Sequence, residues 1–330
     1  MNNFAFTCGD INGIGPEIVI KTLNKIVSLN HSGKLYVICP ADTFYNTLKY
    51  IKPDFEFDFV KNPKEQSDQL VSVIDIGNGR QTLGRPSATS GKIAYKSLVT
   101  AQNLLKSRQA NAVVTAPVSK TAINMAGYDF LGQTELYAKW NNSTNFVMTF
   151  LSSKINAALL TIHAPLKNIH KLIKIQKLEN TINVISKTLK YDLRISNPSI
   201  AVLGLNPHAG ENGIIGDEEE SIILPVIKKF NKTISIDGPF ASDAFFANKK
   251  YKNYDMILGM YHDQILIPFK LLNFGQGVNY TAGLPIVRTS PDHGVAYDIA
   301  DKYTADESSM FQAYKYARRI VKNHKKISES

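Results

Sequence analysis

The stretch NFAFTCGDINGIGPEIVIKTLNKIVS, from Asn3 to Ser28, decides how the rest of the chain is read. Asn3–Thr7 is a short apolar run of strand length. A glycine-rich turn, Gly9 to Gly15, follows, and Pro16 then suits the first position of a helix, where a missing N–H costs nothing. From Glu17 to about Ser28 the apolar spacing is helical. Strand, turn and helix in that order open an α/β unit.

Working outward, the same alternation recurs. Lys34–Cys39 reads as a second strand, followed by a helical stretch to about Ile51. Asn111–Thr115, Asn145–Leu151, Asn156–Ile162, Ser199–Leu205 and Asp255–Met260 are further strand-like runs. Between them lie amphipathic helices. Leu178, Ile182, Ile185 and Leu189 form one apolar stripe, and Phe311, Tyr314, Ala317 and Val321 form another near the C-terminus. The expectation is a two-lobed α/β/α fold with a mostly parallel, twisted sheet. Residues 1–125 with 275–330 are assigned to one lobe, and 126–274 to the other.

With 330 residues there is enough chain for two packed lobes, and 44% hydrophobic and 20% charged residues are ordinary for a globular protein. No apolar run is long enough to span a bilayer, and the first residues lack a basic and then apolar leader. Cys8 and Cys39 are the only cysteines, so neither a disulfide framework nor a cysteine metal site is indicated. A cytoplasmic enzyme without membrane contact is expected. The net charge of +10 raises a basic nucleic-acid binder as the rival class. The lysines are scattered, apart from a cluster around Arg318, Arg319, Lys325 and Lys326, so no nucleic-acid partner is expected.

In parallel α/β sheets, ligands gather at the carboxyl ends of strands. His163, His208 and His262 each stand just past a different strand-like run. Three neutral imidazoles with an open position suit a catalytic divalent metal, zinc ahead of magnesium or cobalt. Asp263 and Glu211 are placed to orient such ligands. Separate, satisfied histidines in polar loops are the alternative. The glycine turn invites a dinucleotide reading, but Ile18 stands where the third glycine belongs and no acid follows the second strand. A purely structural turn and an anion-binding helix start both remain open there. In Arg288–Ala300, Gly294 permits close approach, and Asp298 is a candidate acceptor for ribose hydroxyls that would repel the extra phosphate of NADP. Lys270, Asn279 and Arg288 suit a phosphate or carboxylate pocket.

These segments together resemble the 4-hydroxythreonine-4-phosphate dehydrogenase family, which has an isocitrate/isopropylmalate dehydrogenase-like fold. The matching stretches are Gly9–Glu17, Thr115–Lys120, Gly132–Glu135, Thr161–Leu166, Gly204–Glu211, Gly238–Phe246, Tyr261–Lys270 and Gly277–Ala300. The resemblance implies NAD-dependent oxidation of 4-phosphooxy-L-threonine with decarboxylation to 3-amino-2-oxopropyl phosphate, in pyridoxal phosphate biosynthesis. It implies a metal on His163, His208 and His262, in a site built across a homodimer interface. It also implies substrate contacts at Gln133, Thr134, Lys270, Asn279 and Arg288, with Asp298 toward the ribose. Asp243 is the candidate catalytic acid or base. The chain departs from the family pattern at Gln133, where the family has His, at Asn12, where a small residue is usual, and at Asp301, where a glycine is usual. A sister enzyme acting on another four-carbon phosphorylated acid, such as D-threonate 4-phosphate, fits the same residues. A phosphate-acyl transferase would have no reason for three such histidines.

Overall fold

A computed structural model describes residues 2–29, 31–61, 65 and 67–328. The chain divides into two compact units, Met1–Asn141 with Pro285–Val321, and Asn142–Leu284 with Lys322–Ser330.

The first unit holds β1 (Phe4–Thr7), β2 (Leu35–Ile38), β3 (Phe57–Val60), β4 (Val71–Ile74) and β5 (Ala112–Thr115). Its helices are α1 (Gly15–Val27), α2 (Ala41–Leu48), α3 (Ala88–Lys106), α4 (Lys120–Met125) and α5 (Gln133–Trp140). The second unit adds β6 (Val147–Leu151), β7 (Ala157–Leu159), β8 (Ser199–Leu203), β9 (Ser235–Phe240), β10 (Met256–Gly259) and β11 (Val278–Ala282). Its helices are α6 (Ile169–Leu172), α7 (Ile175–Lys187), α8 (Leu224–Phe230), α9 (Ser242–Ala247) and α10 (His262–Leu272). The chain then returns to the first unit with β12 (Val287–Pro291) and enters α11 (Ser308–Ser328).

Strands of the first unit run β3-β4-β2-β1-β5-β12, every neighbour parallel. Phe4–Thr7, Leu35–Ile38, Val71–Ile74 and Ala112–Thr115 are buried throughout, as strands covered on both faces must be. In the second unit the order is β11-β6-β7-β10-β8-β9. The pairs β11–β6 and β6–β7 are antiparallel, whereas β7–β10, β10–β8 and β8–β9 are parallel. The expected α/β class with a mostly parallel sheet is therefore what the chain adopts.

Local chemistry explains the helix starts that matter for function. Pro16 opens α1, with Glu17 in its first turn. Ser87 and Ser90 form a reciprocal cap on α3, and the Ser119 hydroxyl caps α4. The stripe Leu178, Ile182, Ile185 and Leu189 is fully buried, the last residue lying in a π-turn that extends α7. In α11 the buried face is Met310, Ala313, Tyr314, Ala317, Ile320 and Val321. Phe311, read as part of that stripe, is only half-buried, its ring close to the Lys25 and Lys315 ammonium groups. The second unit is packed around Met148, Phe150, Leu159, Leu203, Phe245, Ile257 and Phe269.

Candidate active site

β10 lies between β7 and β8, and all three run parallel, so their carboxyl ends share one edge of the sheet. His262 begins α10 immediately after β10, His163 follows β7, and His208 follows β8. The rings of His163 and His262 have centroids 6.1 Å apart. His262 Nδ1 is 2.7 Å from Asp263 Oδ1, which fixes that nitrogen and leaves Nε2 for a ligand. Among the described residues, no three His, Cys, Asp or Glu side chains of one chain gather closely enough to hold a metal. The donors nevertheless fit one chemically: two neighbouring imidazoles, one oriented by a carboxylate, and a third following the adjoining parallel strand.

His208 sits in an unusual backbone. From His208 through Gly213, all six residues have positive φ, and four of them, His208, Ala209, Glu211 and Asn212, are not glycine. A left-handed turn costs roughly 1–2 kcal/mol for each residue that carries a Cβ. Buried Glu219 steadies the segment. Its Oε1 accepts the N–H groups of Leu205 and Asn206 at 2.7 Å each, and its Oε2 accepts the Asn206 amide at 2.9 Å. The carboxylate that organises this loop is thus Glu219 rather than Glu211. His208 opens onto a cavity of about 320 Å³ also lined by Glu211, Glu220 and Pro239.

In the first unit the candidate anion site is built around Arg288. β12 pairs with β5 so that Arg288 stands opposite Val113, and Thr115 closes β5. The guanidinium is buried. Its Nε and Nη2 donate to Thr115 Oγ1 at 3.1 and 2.9 Å, and Nη2 donates to Gln133 Oε1 at 3.0 Å. Thr134 Oγ1 lies 3.5 Å from Nη1. Burial pulls the Arg288 pKa down to about 10, so the group remains a cation at neutral pH. Gln133 opens α5 and also donates to the Ala116 carbonyl at 3.2 Å, which turns its amide oxygen toward Arg288. The Gln133 amide therefore has a defined task, holding the guanidinium.

Gln133, Thr134 and Arg288 are thus together. Lys270 and Asn279 belong to the second unit, Lys270 exposed on α10 and Asn279 within β11 opposite Phe150. Asn279 Oδ1 is buried without a hydrogen-bond partner. Asp243 is exposed in the first turn of α9. Asp298 is exposed in a 3₁₀ turn, and a Cβ added at Gly294 would meet nothing within 4 Å. His293 Nε2, beside them, is another buried polar atom without a hydrogen-bond partner. An exposed carboxylate, open space at the glycine and an unsatisfied imidazole nitrogen fit a ribose-bearing cofactor.

The glycine turn is structural. Cβ atoms at Gly9, Gly13 and Gly15 would meet the carbonyl oxygens of Pro117, Val295 and Cys8 at 2.2–2.6 Å. Space that could admit a phosphate is taken by the protein's own carbonyls, whose dipoles disfavour an anion. Asn12 is buried and ties down residues 82–87, donating to Arg85 O and Ser87 Oγ and accepting from the Thr82 N–H. Asp10 accepts from Tyr297 Oη at 2.7 Å, from Ser90 Oγ at 3.2 Å and from the Asn12 N–H at 2.9 Å. Burial raises the Asp10 pKa above the usual carboxylate range. Through Tyr297, this buried carboxyl anchors the loop that carries Asp298. Asp10, Thr115 and Gln264 gave no sequence signal beyond membership of the motifs, and Glu219, which lies outside all of them, gave none.

Comparison with known proteins follows the same map. A family model of the pyridoxal phosphate biosynthetic protein PdxA matches residues 19–317. The 4-hydroxythreonine-4-phosphate dehydrogenase of Prosthecochloris aestuarii is 39% identical over 98% of this chain and 98% of its own. A Salmonella typhi relative, provisionally named a D-threonate 4-phosphate dehydrogenase, is 36% identical over 96% of this chain and 98% of its own. The crystal structure of 4-hydroxythreonine-4-phosphate dehydrogenase from Klebsiella pneumoniae superposes with a TM-score of 0.81 at 35% identity, covering 97% of this chain and all of that one. A terephthalate 1,2-cis-dihydrodiol dehydrogenase from Burkholderia xenovorans shares the fold alone, at 22% identity and a TM-score of 0.64. With the matched span enclosing His163, His208, His262, Gln133 and Arg288, the chain belongs to the PdxA family of pyridoxal phosphate biosynthetic proteins.

Proposed function

We propose that this protein is an NAD-dependent, divalent-metal-dependent oxidoreductase that oxidises 4-phosphooxy-L-threonine and decarboxylates it to 3-amino-2-oxopropyl phosphate. The observation that carries the reading is the set of imidazoles behind β7, β10 and β8, with Asp263 holding His262 Nδ1. His163, His208 and His262 would hold the metal, with a second copy of the chain completing the shell. When bound, the metal and NAD would supply a Lewis acid for the alcohol and carbonyl oxygens and an acceptor for hydride.

The remaining work belongs to this chain's side chains. Arg288, aimed by Thr115 and Gln133, offers a preorganised cation to a phosphate or carboxylate, and Thr134 stands beside it. Lys270 and Asn279 are the further substrate contacts, and Asp243 is the candidate proton carrier. Asp298 is the acceptor for ribose hydroxyls, favouring NAD over NADP.

A homodimer is supported by an exposed apolar stripe on the helix that carries His262 and Lys270. Ile267, Leu271 and, just past the helix end, Phe274 are 59%, 80% and 93% exposed, a pattern typical of a surface awaiting a partner. Among the described residues no helix is long and apolar enough to cross a membrane. A cytoplasmic biosynthetic enzyme is the location we assign.

The decisive experiment supplies 4-phosphooxy-L-threonine and D-threonate 4-phosphate side by side, with NAD, before and after chelation. Reduced nicotinamide should form with the first acid and stop on chelation. Equal or better turnover of the second would reassign the substrate, and turnover indifferent to chelator would remove the metal.

A further inference from the structure

Four segments follow the neighbouring strands β7, β10, β8 and β9, and three of them carry the candidate metal ligands. One side chain joins three of these segments. Gln264 Oε1 accepts the Met260 N–H at 2.6 Å, within its own turn. Its Nε2 donates to the Gly204 carbonyl at 2.6 Å, at the root of the His208 segment, and to Ser242 Oγ at 2.8 Å, at the start of α9. The fourth segment is joined through the same residue, Met260. The Met260 carbonyl accepts from the Thr161 N–H at 3.2 Å and from Thr161 Oγ1 at 2.6 Å, two residues before His163.

Gln264 is two residues beyond His262 and is itself half-buried. The acceptor and both donor directions of its amide are used, so its orientation is fixed from three sides. Glycine makes the junction possible. A Cβ at Gly259 would lie 3.1 Å from Gln264 Oε1 and 2.1 Å from an Ile265 carbon. The His208 turn, strained by four non-glycine residues of positive φ, needs such external anchors if its imidazole is to keep one position.

We propose that Gln264 is a positioning residue of the histidine site, setting the separation of His208 from His262 by bonding Met260, Gly204 and Ser242 at once. It is not itself among the proposed metal ligands or substrate contacts. The idea rests on the metal-dependent reading above, and deepens it. Removing its amide donors should loosen the His208 segment relative to α10 and weaken metal retention. Partners that orient ligands in this way are commonly worth about 10–100-fold in metal affinity.

The test uses the full-length protein in its assembled form and zinc as the probe. Zinc affinity is measured by competition with a chelating dye, and the thermal midpoint of the metal-stripped protein is recorded beside it. Gln264→Met keeps length and loses all three bonds. Gln264→Glu keeps the acceptor for Met260 and loses donation to Gly204 and Ser242. Ser242→Ala removes a single acceptor and leaves the packing intact.

Gln264→Met and Gln264→Glu should lower zinc affinity about 10–100-fold, and Ser242→Ala by less. If Gln264→Met fails to fold, the other two variants carry the same comparison. A purely structural role would lower the stripped midpoint and leave the zinc affinity of folded protein unchanged, which overturns the proposal. Should the unaltered protein itself retain no zinc, the three-histidine reading falls and takes this proposal with it. The two failures are distinguishable because only the second appears before any substitution is made.

Discussion

Thr115 carries two of the hydrogen bonds that orient Arg288, and its hydroxyl is buried with them. Thr115→Val preserves shape and leaves two guanidinium donors unsatisfied, a loss of about 1–3 kcal/mol. The expected result is a lower thermal midpoint and a raised KM, whereas Thr115→Ser stays close to the parent; equal KM values in all three would place Arg288 outside the substrate pocket. Burial lowers the Arg288 pKa only to about 10, so the guanidinium stays charged through neutral pH and should add no slope to a plot of KM against pH there. At the exposed cofactor candidate, Asp298→Ala should narrow the preference for NAD over NADP by removing like-charge repulsion; a parent enzyme equally active with both cofactors would show the assignment to be wrong. Residues of this kind differ in how visible they were. Histidines are scarce, and three placed after strand-like runs stood out. Thr115 and Gln264 did not, because their meaning lies in partners 173 and 60 positions away.

Among the elements, α7 was plain from its stripe, and the structure buries all four of its residues. Ile182→Ala removes a fully buried side chain from that face and should cost about 2–5 kcal/mol, measured by denaturant unfolding. The left-handed His208 turn was not foreseeable. Nothing in Asn206-Pro207-His208-Ala209-Gly210-Glu211-Asn212 demands four non-glycine residues of positive φ, and the carboxylate that holds the start of the segment, Glu219, comes from outside it. Ala209 is the residue there with least reason to tolerate them. Ala209→Gly relieves the Cβ strain while adding freedom to the unfolded chain, for a net gain of about 0.5–1 kcal/mol. An unchanged or lower midpoint would mean that the turn is not strained. Strands β3, β4, β9, β11 and β12 went unnoticed for a related reason. β9 contains Gly-Pro, and β11 carries Asn279, Tyr280 and Thr281, so alternation does not separate these two from loops.

For the whole molecule, the alternation of strands and helices was enough to give an α/β chain with a mostly parallel sheet. The exit and return, placed at residues 125 and 275 from the sequence, stand beside unit boundaries at Asn141/Asn142 and Leu284/Pro285; hydropathy along a strand is the same on either side of such a crossing and does not mark it. Assembly is the level at which the proposed metal shell is tested. Leu271→Asp and Phe274→Asp place charges on the exposed apolar stripe and should convert a dimer to monomer in sedimentation. Turnover and zinc retention should fall together with the dimer; a fully active monomer would refute the shared shell. The return of β12 to the first unit also bears on how the chain is made. β5 has β12 as its neighbour, yet Thr115 and Arg288 are 173 residues apart. On a ribosome adding roughly 5–20 residues per second, the nascent first unit waits on the order of 10–30 s with one edge of its sheet uncovered. During that interval Ala112–Thr115 is a bare template for pairing with any other extended polypeptide, so holding chaperones should matter more to the yield of this protein than its final stability suggests.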